Sequence, residues 1–109
     1  MKIAMRIEKE NFIITAEGDF DAEDNQQLKY ALERSTGSYC KKVLIDLANL
    51  HNINPAGQRV LLAYLTRLQA HGMPLILCHV NPMVHKALAS SGLDKIISIA
   101  PTLQDAQTS

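Results

Sequence analysis

The sequence predicts an α/β domain with a mixed, mostly parallel sheet and elements in the order ββαβαβαβα. Three observations carry that prediction. Short apolar runs alternate with stretches of helical apolar spacing, which implies right-handed crossovers and a largely parallel sheet. The first two apolar segments are joined by so short a link that they should form a hairpin, which makes one strand antiparallel. The third observation is a repeated device, Asn54-Pro55 and Asn81-Pro82. Each pairs a capping residue with a proline at the first helical position, where a missing N–H costs nothing.

Ile3, Met5 and Ile7 alternate with Lys2, Ala4, Arg6 and Glu8, the period of a strand with one buried face. Glu10-Asn11 reads as a turn, and Phe12 to Ala16 as a second strand ended by Gly18. Asp21 is placed to cap the next helix, with Asp24 three residues on in a capping-box arrangement. That helix should run to about Arg34 on an apolar stripe of Leu28, Ala31 and Leu32, before Ser35-Thr36-Gly37-Ser38 breaks it. Val43 to Leu47 is a nearly continuous apolar run, as expected of a strand covered on both faces. Ala48 to Ile53 is a loop, and Asn54-Pro55 opens a helix with Leu61, Tyr64, Leu65 and Leu68 as its buried stripe. His71-Gly72 ends it, with Gly72 free to take the left-handed cap and Pro74 beyond. Leu75 to Val80 is another buried strand, and Asn81-Pro82 opens a helix carrying Val84, Ala87 and Leu88. Gly92 stops that helix with Leu93 packing back, Ile96 to Ile99 forms a last strand, and Thr102 caps a tail helix before polar Gln107-Thr108-Ser109. No repeat, low-complexity stretch or linker interrupts residues 1–109. The chain starts near its first strand and ends after its last helix, the expectation for one free-standing domain.

Composition narrows the function. Apolar residues make up 47% of the chain and charged residues 20%, ordinary values for a globular domain and too apolar for disorder. Eleven basic and eleven acidic residues cancel, so no basic surplus exists to neutralise nucleic-acid phosphates or to hold a charged membrane surface. No apolar run reaches the length of a membrane helix, and the N-terminus lacks a signal-peptide core. Cys40 and Cys78 are far apart and outside any C-x-x-C motif, as expected of small apolar residues in a reduced, cytoplasmic protein.

Catalytic patterns are missing. The chain carries no G-x-x-x-x-G-K-[ST] phosphate loop, no G-x-G-x-x-G and no G-x-S-x-G elbow. Gly57 is a lone glycine in a first helical turn. Asp19 and Asp21 flank Phe20 as a carboxylate pair, but capping is the expected task of Asp21. Asp46, near the end of an apolar strand, is expected to bond loop backbone groups rather than act as an acid. Of His51, His71, His79 and His85, only His79 adjoins a cysteine, and strand alternation should point Cys78 and His79 to opposite faces. No metal, no cofactor and no catalytic residue are therefore expected.

Five phrases in order resemble one family. Glu17-Gly18-Asp19-Phe20-Asp21 is similar to a G-E-L-D phrase at the end of a second strand, and Val43 to Leu47 to a central strand. Ile53-Asn54-Pro55-Ala56-Gly57 resembles a segment usually written I-D-S-S-G, Asn81-Pro82-Met83-Val84 an N/S-P-x-V helix start, and Ser91 to Ile97 a G-L-D phrase. Together, across nearly the whole chain, they resemble STAS domains of the anti-sigma-factor-antagonist type. The resemblance implies a non-enzymatic protein that binds an anti-sigma factor or related kinase and frees a sigma factor. It also implies a control device, phosphorylation of the second serine of I-D-S-S-G. That serine aligns with Ala56 and the first with Pro55, so neither position has a hydroxyl to accept phosphate.

The docking surface implied by the resemblance comprises Asp19, Asp21, Asn52, Asn54, Pro55, Ala56, Gly57, Gln58 and Arg59. Asn54 and Pro55 preserve the helix start while the charge switch is lost. Ser90 and Ser91 are further hydroxyls near a helix end. Two other protein-binding roles fit the same resemblance, a cytosolic subunit of a lipid-transporting ABC complex and a stressosome-like scaffold. A nucleotide-binding domain is disfavoured by the missing phosphate loop.

Overall fold

The computed structural model describes residues 1–21 and 23–108; the last residue of the expected polar tail, Ser109, lies outside them. Strands β1 (Lys2–Glu8), β2 (Asn11–Glu17), β3 (Lys42–Asp46), β4 (Leu75–Cys78) and β5 (Ser98–Ala100) form one sheet in sequential order. The β1–β2 pair is antiparallel and the other three pairs are parallel. Helices α1 (Asp24–Thr36), α2 (Pro55–Ala70) and α3 (Pro82–Ser91) fill the three crossovers, and α4 (Leu103–Thr108) follows β5. Each crossover steps one strand in the same direction. Right-handed crossovers that all step the same way put their helices on the same face.

The core divides accordingly. Phe12, Ile14, Val43, Ile45, Leu75 and Leu77 meet the stripes of α1, α2 and α3 in the larger cluster. The intervening residues Ile13, Leu44, Ile76 and Cys78 point the other way and are covered by Leu103 and Ala106 of α4. Strands buried on both faces read as continuous apolar runs, which is why β3 and β4 were legible. Each fully buried leucine or isoleucine contributes roughly 1.5–3 kcal/mol relative to exposure.

The ends of α2 and α3 and the start of α4 follow the sequence closely, whereas α1 runs on through Ser35 and Thr36 to end at Gly37. Asn54 Oδ1 accepts the Gly57 N–H at 2.7 Å and Asn81 Oδ1 the Val84 N–H at 3.0 Å, each with proline next in the helix. Gly72 and Gly92 take left-handed φ values of 73° and 81° just after α2 and α3. Thr102 Oγ1 accepts the Asp105 N–H at 3.1 Å and so caps α4.

Four expectations need correction. Strand β1 lacks the buried face its alternation suggested, because it is the sheet edge: Ile3 is half-buried, but Met5 is 38% and Ile7 61% exposed. The hairpin turns at Lys9-Glu10, with Lys9 at φ 54°, and Asn11 already pairs with Glu8. The last strand starts at Ser98 rather than Ile96, because a 3-10 turn at Leu93–Lys95 follows α3 and leaves Ile96 exposed. Strand β4 ends at Cys78, two residues early, since His79 leaves extended backbone at φ 55°.

Candidate functional site

The carboxyl ends of β2 and β3 feed two loops that lie side by side. The Gly18 N–H donates to Asn49 O and the His51 N–H to Gly18 O, each at 2.8 Å, forming a parallel bridge between Gly18 and Leu50. Asn52 Oδ1 accepts the Phe20 N–H at 2.8 Å, and Asn54 Nδ2 reaches Phe20 O at 3.5 Å. At the rim, exposed His51 Nδ1 lies 3.2 Å from Asp19 Oδ1. Residues 18–21 and 49–54 thus form one stitched surface.

Beneath it sits Phe20, only 2% exposed. A Cβ on Gly57 would lie 2.7 Å and 2.8 Å from two atoms of that ring and 3.0 Å from the Ile53 side chain. Glycine is required here by close approach. The expected docking residues are brought together but unequally presented. Asp19, Asp21, Asn52, Pro55 and Arg59 are exposed, Asn54 and Ala56 half-buried, and Gly57 and Gln58 buried. Ala56 is the second residue of α2.

Two assigned roles change. The side chain of Asp21 does not cap α1; the N-cap is Glu23, without a side-chain hydrogen bond. The Asp24 half of the expected capping box does form: its buried Oδ2 accepts the Asp21 N–H at 2.6 Å and lies 3.5 Å from the Met1 ammonium. Gln58, placed on the docking surface by the resemblance, is buried, and its Oε1 receives the Ser91 hydroxyl, which ties α2 to the end of α3. Helical spacing alone placed it beside Arg59, but the packing of α3 against α2 covers one of the two.

That packing creates a groove of about 410 Å³ which the sequence reading missed, running from Pro55 and Arg59 past Leu62 to Ala87, Leu93 and Ile96. Leu62 and Ile96 are 42% and 55% exposed. The signal was hidden because Ile96 read as a strand residue.

At the ends of β3 and β4, Asp46 Oδ1 accepts the Ala48 N–H at 3.1 Å, the loop-bonding role expected of it, and lies 3.1 Å from His79 Nδ1. The Cys78 thiol donates to Ile45 O, and burial, with the nearby Asp46 charge, pushes its pKa up to about 12. A thiol held protonated is a poor nucleophile. Cys78 and His79 do not face apart as strand alternation required, since the left-handed backbone at His79 returns its ring to the side of Asp46.

The STAS domain family profile matches residues 2–106. The chain belongs to the STAS domain family. An anti-sigma F factor antagonist from Paenibacillus polymyxa is 26% identical over 100 residues, covering 91% of this chain and 86% of that protein. The crystal structure of an anti-sigma factor antagonist from Mycobacterium paratuberculosis superposes with a TM-score of 0.84 at 21% identity, covering 98% of this chain and 91% of that one. The Bacillus cell fate determinant SpoIIAA, solved in its phosphorylated form, gives 0.74 at 18% identity, covering 98% and 97%.

In this STAS domain α2 is also held from below. The Tyr64 hydroxyl donates to Glu33 Oε2 of α1, Arg67 Nη1 donates to the same oxygen at 3.0 Å, and Arg67 Cζ lies 4.9 Å from the Tyr64 ring centroid. The Tyr64 hydrogen bond, then Arg67, lowers the Glu33 pKa; burial, then Glu33, raises that of Tyr64. Among the described residues no helix is long and apolar enough to cross a membrane.

Proposed function

We propose that residues 1–109 act as one regulatory protein-binding domain of the anti-sigma-factor-antagonist type. In this reading the domain binds an anti-sigma factor or related kinase in the cytoplasm, frees a sigma factor by competition, and performs no catalysis. The observation that carries the proposal is the stitched surface of residues 18–21 and 49–54 leading into the capped start of α2. Asp19, Asp21, Asn52, Pro55 and Arg59 present its exposed groups, around half-buried Asn54 and Ala56. Gly57 and Gln58 support it from behind.

The resemblance implies a switch that would act at this helix start. A phosphate at a helix N-terminus is welcomed by free N–H groups and the helix dipole, and it adds about −1.5 to −2 charge to the contact surface. With Pro55 and Ala56 here, the surface persists without the switch. The domain therefore behaves as a permanently unphosphorylated antagonist, and control passes to the partner's abundance or modification.

Affinity capture of the tagged full chain from its source cells, with mass-spectrometric identification, tests the class of partner. Recovery of an anti-sigma factor or ATP-binding kinase is the expected result. Recovery of a transporter ATPase without such a kinase would overturn it.

A further inference from the structure

We propose that Asp46, Cys78 and His79 form a divalent metal site of the zinc type at the carboxyl ends of β3 and β4. The β3–β4 register pairs Asp46 directly with Cys78, which puts a carboxylate and a thiol side by side on one face of the sheet. His79 follows at φ 55°, a backbone region rare for residues other than glycine. That turn returns the ring to the same face, with Nδ1 3.1 Å from Asp46 Oδ1. One ligand atom from each of the three residues lies within 4.8 Å of the other two. Tetrahedral zinc, with bonds of about 2.0–2.3 Å, separates its ligand atoms by roughly 3.3–3.6 Å. A small closure about a cation therefore suffices.

The surroundings define both access and choice of metal. Cys78 is fully buried, whereas the side chains of His79 and Asp46 are 36% and 20% exposed. The site is closed on the protein side and open toward solvent, which leaves a fourth position for water or an incoming ligand. Sulfur, nitrogen and one carboxylate suit zinc or cobalt and not magnesium or calcium, which take oxygen ligands. On binding, Cys78 releases its thiol proton to solvent and coordinates as thiolate. His79 coordinates through Nδ1 and keeps its proton on Nε2. The cation replaces the present hydrogen bond between His79 and Asp46 and separates the thiolate from the carboxylate.

The test is titration of the full chain with Co²⁺ in reducing buffer, followed by displacement with Zn²⁺. The expected result is a thiolate-to-cobalt charge-transfer band that saturates at one equivalent, survives in Cys40→Ser and is absent in Cys78→Ser. Because Cys78→Ser alters the core, His79→Ala at the half-exposed position provides a second readout. That variant should stay folded by circular dichroism and lose at least about tenfold in Zn²⁺ affinity measured against a chromophoric chelator. Absence of the band in the unaltered protein, persistence of the band in Cys78→Ser, or unchanged Zn²⁺ affinity in His79→Ala would each overturn the proposal.

Discussion

Helices α2 and α3 begin with the same device and end up in different settings. Asn54-Pro55-Ala56-Gly57 and Asn81-Pro82-Met83-Val84 align residue for residue, with matching N-cap dihedrals and matching side-chain bonds to the third helical N–H. The start of α2 is sewn to the 18–21 loop through Asn52 and Asn54, and its third residue must be glycine because Phe20 lies against it. The start of α3 is anchored through Asn81 Nδ2 to Leu50 O, its third residue is a buried valine, and Met83 stands 68% exposed. A helix start is thus local chemistry, whereas a binding surface needs a second segment brought beside it. The proposed function assigns docking to the first start only.

Substitutions at equivalent positions sharpen the contrast. The largest effect on stability is expected for Gly57→Ala. A methyl group placed 2.7 Å from the Phe20 ring forces the loop outward, at a cost of roughly 1–3 kcal/mol. Urea unfolding measures that cost, and an unchanged midpoint would show that Phe20 yields freely. Next come the caps. Asn54→Ala and Asn81→Ala should each lose about 1 kcal/mol, because each removes one first-turn acceptor. The pair would break the account if both also weakened partner binding equally.

The smallest effect concerns the clamp between α1 and α2, which has no ion-pair counterpart on α3 among the described residues. Glu33 has a lowered folded-state pKa, so its contribution is fully present above its unfolded value of 4.5 and is lost as pH falls through the folded value. Its carboxylate is exposed and the contribution is correspondingly small. Acid unfolding of Glu33→Gln should show a shallower decline below pH 4.5 than the unaltered chain. An identical profile would remove the clamp from the account.

Much of this architecture could be read from local signals. Asn-Pro starts, glycine ends and continuous apolar runs each depend on a few neighbouring residues, and they placed α2, α3 and β3; the hairpin was foreseen, but its turn lies one residue earlier than expected. What escaped depended on distant partners. Met5 and Ile7 alternate like core residues, but they lie on the edge strand, and alternation cannot tell an edge from a centre. Asp21 looked like a cap until Asp24 took the Asp21 N–H. Gln58 is buried and accepts the hydroxyl of Ser91 from another helix. His79 left the pattern through a single left-handed residue, and that moved it from one face of the sheet to the other. The candidate surface was legible as two segments; the hydrogen bonds joining them through Asn52 and Phe20 were not.

The central claim is tested most directly by calorimetric titration of the captured partner with Ala56→Glu and Met83→Glu. Both changes place a carboxylate at the second position of a helix, where the dipole makes it neutral or slightly stabilising, by about 0.3–1 kcal/mol. Both variants should stay folded, as circular dichroism checks, and they should differ in binding. A loss of at least about tenfold in affinity, or ~1.4 kcal/mol, for Ala56→Glu with Met83→Glu unchanged is the predicted result. Equal affinities for the two variants, whether both retained or both lost, would contradict docking at the start of α2.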